Sequence, residues 1–386
     1  MTLKTASITD RLANLGAARW DVHFEGRKRL AAGENLIELT IGEPDIPTPP
    51  ALIEVAAQSM RDGRTGYAAG RGEPGMVAAI AAKYSARTGR TIDPRQVLSF
   101  PGTQAALSLC MLSLTEAGDD VLLPDPYYAT YESVVRASGA QFVPVPMEAA
   151  NGFHLTPDQL EAAITSSSKV LLLNSPHNPT GATLSAPEIG AIGEVCEAHD
   201  LWILSDEVYE PLVYSGTFAS PFDDARLAER TVVVSSLSKS HAAPGFRAGW
   251  SVSPLWFADK AQSVSEAVLF GNQPFIADMV EAALKSDDDP AAEMGANYRS
   301  RIEAVKACFD GTPLKPMVPE AGMFMLVDVS ASGMDGEAFA RKALDHGVSV
   351  MPGGSFGSQA KAFIRLSLTV PEDDLREAAE RLVGVL

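Results

Sequence analysis

The sequence predicts an α/β protein: a mostly parallel central sheet in a large domain, with a smaller α+β domain beside it. The first observation behind this is a series of short apolar runs separated by helix-like stretches. They are Val97-Leu98-Ser99-Phe100, Val121-Leu122-Leu123, Val170-Leu171-Leu172-Leu173, Leu201-Trp202-Ile203-Leu204-Ser205 and Thr231 to Ser235. Runs of this length, apolar at consecutive positions, are expected of strands covered on both faces. The second is length: 386 residues exceed what one simple core fills. The third is a change of order after the acidic stretch Asp287-Asp288-Asp289-Pro290. Beyond it the pattern reads helix (Glu293 to Phe309), strand (Phe324 to Asp328), helix (Gly336 to His346), Gly-rich loop (Pro352 to Ser355), strand (Phe363 to Leu368) and a charged terminal helix.

Each early run ends in a polar cluster. Val97 to Phe100 leads through Pro101-Gly102 into a helix opening at Thr103-Gln104-Ala105. Val121 to Leu123 precedes Asp125-Pro126-Tyr127-Tyr128-Ala129-Thr130-Tyr131. Val170 to Leu173 precedes Asn174-Ser175-Pro176-His177-Asn178-Pro179-Thr180-Gly181. Leu201 to Ser205 precedes Asp206-Glu207-Val208-Tyr209, and Thr231 to Ser235 precedes Ser236-Leu237-Ser238-Lys239. Ligands of open α/β sheets bind at the carboxyl ends of strands. Gly102, Tyr128, Asn178, Asp206 and Lys239 are therefore expected to converge on one crevice. Trp256 to Ser286 reads as helical, with a break at Gly271 and Pro274.

Composition narrows the function classes. Hydrophobic residues make up 46% and charged residues 21%, as in an ordinary globular enzyme. A formal net charge of −18 argues against nucleic acid or an anionic membrane surface as partner. No run has the apolar length of a membrane helix, and Met1 to Ser7 lacks a secretory apolar core. Cys110, Cys196 and Cys308 are far apart, without metal-ligand spacing. They are expected to be reduced thiols of a cytoplasmic protein that holds no metal.

Lys239 carries the most specific signal. It lies at a strand end among slim hydroxyl residues, in Ser236-Leu237-Ser238-Lys239-Ser240-His241-Ala242-Ala243-Pro244-Gly245-Phe246-Arg247-Ala248-Gly249. A lysine that bonds covalently to a carbonyl cofactor needs a rigid strand behind it and room beside it. A surface lysine after a buried strand is the plain alternative, and the length of the pattern weighs against it. Asp206 ends another buried strand, where an unpaired carboxylate is costly; a helix N-cap is its plain alternative.

The run around Lys239 resembles the lysine signature of the class I and II aminotransferases, which bind pyridoxal phosphate. The resemblance extends from about Gly42 to Arg365. It implies fold type I, with a large cofactor domain at 46–288 and a small domain formed by both chain ends, 1–45 and 289–386. It also implies roles. Lys239 would hold the cofactor and move the substrate proton, and Asp206 would pair with the ring nitrogen. Tyr209 and Asn178 would contact the phenolate oxygen, and Tyr128 would stack on the ring. Gly102, Thr103, Gln104, Ser236 and Arg247 would hold the phosphate, although Pro101 departs from the small residue often found there. Tyr67 would reach the phosphate of a partner subunit, making the unit a homodimer with shared sites. Arg365 would take the substrate carboxylate, beside Asn178 and the backbone of Gly42. Tyr127 and Tyr131 read as packing residues, and His177 as a bystander.

The implied reaction is ping-pong transfer of an amino group from an L-amino acid to a 2-oxo acid. The runs Gly16 to His23, Ser175 to Pro179, Ala198 to Trp202 and Ser236 to His241 are similar to arginine–pyruvate aminotransferases. Ala243-Pro244-Gly245-Phe246 departs from them. Asp21 is a candidate partner for a substrate guanidinium, with a surface aspartate as its plain reading. Aspartate, aromatic or neutral amino acids remain open as donors. So does a carbon–sulfur lyase on the same fold, and, ranked last, a regulatory module that binds the cofactor without turnover.

Overall fold

The computed structural model describes residues 3–13, 15 and 18–386. Gly16 and Ala17, the first two residues of the run ending at His23, lie outside the described residues.

In chain order, a short β1 (Ile37–Glu38) precedes seven strands that form the central sheet. These are β2 (Val97–Pro101), β3 (Asp120–Asp125), β4 (Gln141–Pro146), β5 (Ser168–Asn174), β6 (Trp202–Asp206), β7 (Thr231–Ser236) and β8 (Ala248–Val252). Their spatial order is β2-β8-β7-β6-β5-β3-β4. The pairs β3–β4, β3–β5, β5–β6 and β6–β7 are parallel, while β8 runs antiparallel to both β7 and β2. The sheet is thus mostly parallel, as expected.

Successive side chains on a strand point to opposite faces, and the packing follows that rule. Val170 and Leu172 of β5, Val121 and Leu123 of β3, and Leu204 of β6 join one core. Leu171, Leu173, Leu122 and Ile203 join the core on the other face. A strand buried on both sides needs consecutive apolar residues, which is why these runs do not alternate.

A second sheet follows: β9 (Lys315–Met317), β10 (Phe324–Asp328), β12 (Met351–Pro352) and β13 (Phe363–Ser367), in the antiparallel order β12-β13-β10-β9. Between them in sequence, β11 (Val348–Ser349) pairs in parallel with β1. One core joins Val22, Leu36 and Leu39 to Phe324, Ile364, Leu375 and Leu382, so residues from both ends of the chain share it.

Helix boundaries follow local chemistry. The stretch expected to break at Gly271 and Pro274 forms two helices, Leu255–Val268 and Pro274–Lys285, the second with proline in its first turn. The next helix runs Pro290–Phe309, starting earlier than expected because Asp289 caps it by accepting from the Ala292 N–H. No helix among the described residues is long and apolar enough to cross a membrane.

Candidate active site

The carboxyl ends of β5, β6 and β7 open onto one cavity of about 240 Å³. Lys239, Asp206, Tyr209, Asn178, Tyr128, Thr103, Gln104, Ser236, Arg247, Gly42 and Arg365 all line it. Two expected residues do not. Gly102 is not among the lining residues, and its N–H donates to the Phe100 carbonyl at 2.7 Å. Its role is spatial: φ is +87°, and a Cβ there would collide with the Arg247 guanidinium. Tyr67 is 89% exposed, its ring 5.2 Å from that of Phe270, itself 64% exposed.

At one end of the cavity a donor set gathers. The helix Thr103–Leu114 begins there, with its leading N–H groups and positive dipole end. The Thr103 hydroxyl donates to Ser236 Oγ at 2.9 Å, and Arg247 supplies a cation. Gly249 lets β8 approach this turn, since a Cβ on it would meet the Gly102 backbone.

Asp206, at the carboxyl end of β6, lines the same cavity and is not a helix N-cap: a turn follows it, and its Oδ1 accepts from the Val208 N–H at 3.2 Å. Its Oδ2 accepts from the Tyr131 hydroxyl at 2.7 Å. Tyr131 packs in the core as the sequence predicts, and this bond gives it a second role. Burial pushes Asp206 up to about 6, against the Tyr131 hydrogen bond, the Val208 N–H and the Lys239 charge. Asp206 is therefore mostly ionised at neutral pH.

Lys239 sits in the short helix Leu237–Ser240 directly after β7, and its Nζ donates to the Gly42 carbonyl. Burial pulls its pKa down to about 8; Glu43 and Asp206 oppose that shift, whereas Arg365 and Arg247 reinforce it. A useful fraction of the amine is then unprotonated near neutrality.

The Asn174–Gly181 loop is braced by Asn174, whose Oδ1 accepts from the Asn178 N–H at 2.8 Å and whose amide donates to the Asp206 carbonyl at 3.0 Å. Sequence reading missed this role; an asparagine at the end of a buried strand was the available signal. Tyr209 lines the same cavity, and burial raises it far above its ordinary range, so its hydroxyl keeps its proton. His177 stays out of the cavity. Its Nδ1 pairs with Thr180 Oγ1 at 2.7 Å, and burial pulls it down to about 4, so it is neutral.

Arg365 lies on β13 and is 2% exposed. Its guanidinium is held 3.9 Å from the Phe324 ring centroid and 4.4 Å from that of Phe356. Nη1 donates to Asn178 Oδ1 at 3.0 Å and Nη2 to the Thr40 carbonyl at 2.7 Å, while the buried Nε has no partner. A buried cation bonded to neutral oxygens, with a spare N–H, suits an incoming carboxylate. Burial pulls it down to about 10, so it remains charged at neutral pH.

The family model described as "Aminotransferase class I and II" matches residues 34–382. The chain belongs to the class I and II aminotransferases. It is 39% identical over 382 residues to the arginine–pyruvate transaminase of Pseudomonas aeruginosa, covering 98% of this chain and 97% of that protein. It is 32% identical to the aspartate/prephenate aminotransferase of Thermus thermophilus, with 92% of each chain covered. Its fold matches the solved aspartate aminotransferase of Thermus thermophilus with maleate at a TM-score of 0.94, with 29% identity and all of both chains covered. This aminotransferase is a fold type I enzyme that uses pyridoxal phosphate.

The cavity's residues fit that cofactor. Its carboxylate suits a protonated ring nitrogen, and its hydroxyls, cation and helix terminus suit a phosphate. A lysine lines the same cavity, and Tyr128 and Leu107 offer ring-sized walls. Asp21, weighed as a guanidinium partner, lies outside the cavity, half-exposed and 4.0 Å from Arg341. It begins a helix and points to solvent. Trp20, Ile41 and Phe324 line the cavity without having been singled out in the sequence.

Proposed function

We propose that this aminotransferase takes arginine as amino donor and pyruvate as acceptor, through a site in which Lys239 and Asp206 serve opposite ends of the cofactor. Bound there, pyridoxal phosphate supplies the carbonyl that accepts the amino group and the electron sink for the charge left as the α-proton departs. Lys239 Nζ holds the cofactor and, once free, moves the α-proton. Asp206 keeps the ring nitrogen protonated by direct charge pairing. Tyr209 and Asn178 hold the phenolate oxygen, and Tyr128 covers the ring face. Thr103, Gln104, Ser236 and Arg247 bind the phosphate. Arg365 orients the substrate carboxylate beside the Gly42 backbone.

The observation that carries the substrate reading is the charge pattern of the cavity. Its lining cations are Lys239, Arg247 and Arg365, each with a task above. Among the described residues of one chain, no lining cation is left for the second carboxylate of aspartate. Trp20 instead offers an indole, a surface on which a guanidinium stacks, and Glu43 acts on Lys239 as a nearby negative charge. The similarity to an arginine–pyruvate transaminase points the same way. Alanine formation from pyruvate should be fastest with arginine when arginine, aspartate, phenylalanine and leucine are compared as donors. No alanine with arginine would remove the arginine reading. Pyruvate and ammonia release from cystathionine, without an added oxo acid, would identify a lyase instead.

Two broader proposals accompany it. The large domain spans 46–288, and both chain ends form the small one in a cytoplasmic enzyme; the core shared by Leu39 and Leu382 supports that division, and free Cys110, Cys196 and Cys308 suit that compartment. The working unit is a homodimer, in which the exposed Tyr67–Phe270 pair is covered by the second copy and Tyr67 reaches that copy's phosphate. Tyr67→Phe should bind pyridoxal phosphate roughly tenfold more weakly, the worth of one charge-assisted hydrogen bond, and sediment as a dimer like the parent. A parent protein that sediments as a monomer while fully active would contradict this.

A further inference from the structure

The Asp206 carboxylate has each oxygen held by one donor from the protein. The Val208 N–H, from the same turn, holds Oδ1 at 3.2 Å, and the Tyr131 hydroxyl, from a helix start elsewhere in the chain, holds Oδ2 at 2.7 Å. Both side chains are buried, Tyr131 at 2% exposure and Asp206 at 4%. Tyr131 begins the helix Tyr131–Ser138, and its ring stands edge-on to that of Tyr128, with centroids 5.5 Å apart and planes at 85°. One residue therefore touches both the carboxylate at the end of the cavity and an aromatic wall of it.

We propose that Tyr131 is a positioning residue for the cofactor ring: its hydroxyl fixes the rotation of the Asp206 carboxylate and favours its ionised form, while its ring braces Tyr128. This rests on the reading that Asp206 pairs with the ring nitrogen. The two donors pin the carboxylate plane and leave lone pairs for the cavity, since each oxygen can accept more than one bond. The hydrogen bond is between buried groups, where a donor to a charged acceptor counts for more than at the surface.

The groups that face Asp206 are Tyr128 from the loop after β3, Tyr131 from the helix that follows it, Tyr209 from its own turn, and Lys239 from the segment after β7. Burial raises Asp206, and the Tyr131 bond is the first influence holding it down. Burial, followed by the charge of Asp206, keeps Tyr131 protonated well above its ordinary range, so it donates at every working pH. Removing the hydroxyl takes away a downward influence. The Asp206 midpoint then rises, less of it is ionised at neutral pH, and the acid limb of cofactor binding moves to higher pH.

The test is the affinity of the apoprotein for pyridoxal phosphate, followed by fluorescence between about pH 5 and about pH 8. Tyr131→Phe keeps the ring and loses the hydroxyl. It should bind roughly tenfold or more weakly at neutral pH, with the acid midpoint shifted upward. Tyr127→Phe is the control: its hydroxyl sits by Arg19 and Glu132, away from Asp206, and its midpoint should match the parent. In an Asp206→Ala background, adding Tyr131→Phe should cost nothing further. An unmoved midpoint in Tyr131→Phe, or an equal loss in the Asp206→Ala background, would overturn the inference. Unchanged affinity in Asp206→Ala alone would instead overturn the reading of Asp206 on which it rests.

Discussion

Lys239→Ala should lose at least about 10³-fold in turnover number, the scale of removing a positioned acid–base group that also bonds the cofactor. Two features of the chain produce this expectation. The side chain projects from the first turn after β7, so its amine enters the cavity from a rigid base. Burial also lowers its pKa to about 8. With the folded value depressed, the unprotonated fraction grows as pH rises through about 8, and the proton-transfer step it serves should accelerate over that range. Lys239→Arg should fail as badly, because a guanidinium keeps its charge and cannot accept a proton. Steady-state kinetics of both variants check this, and near-parent turnover in either would contradict it.

The second large effect falls on Arg365. Arg365→Lys should lower kcat/KM for amino acid donors by about 10²-fold, within the range for losing one partner of a buried charged pair. Its affinity for pyridoxal phosphate should stay within about twofold of the parent. Lysine keeps the charge but not the planar fork, and it leaves Asn178 Oδ1 or the Thr40 carbonyl without its donor. Reading kcat/KM against cofactor affinity separates a substrate anchor from a structural arginine. An equal loss in both would mean that Arg365 serves the architecture of the cavity instead.

Much of this arrangement was legible in the sequence, for a physical reason. Strands buried on both faces are written as unbroken apolar runs, and Val170 to Leu173 or Leu201 to Ser205 cannot be mistaken for surface. Their carboxyl ends locate a crevice, so Asn178, Asp206 and Lys239 were placed together before any coordinates. What stayed hidden depends on contacts between distant segments. Strand β8 was absorbed into the lysine motif, since Ala248 to Val252 carries glycine and serine and pairs antiparallel at both sides. The hydroxyl of Tyr131 meets Asp206 across 75 positions, and no local pattern distinguishes that tyrosine from its neighbours Tyr127 and Tyr128. Gly102 is expected in the phosphate cup on the family resemblance, since a glycine before a helix is by itself a weak signal. Its N–H donates to the Phe100 carbonyl, a turn closure that composition does not reveal.

The central claim is that Lys239 is the residue joined to the cofactor in the cavity that Asp206 also lines. Borohydride reduction of the active holoenzyme, followed by digestion and peptide mass mapping, tests it most directly. The cofactor's mass should appear on the peptide containing Ser238-Lys239-Ser240 and be absent after Lys239→Ala. Its appearance on another lysine of a fully active enzyme, such as Lys83 or Lys260, would contradict the account.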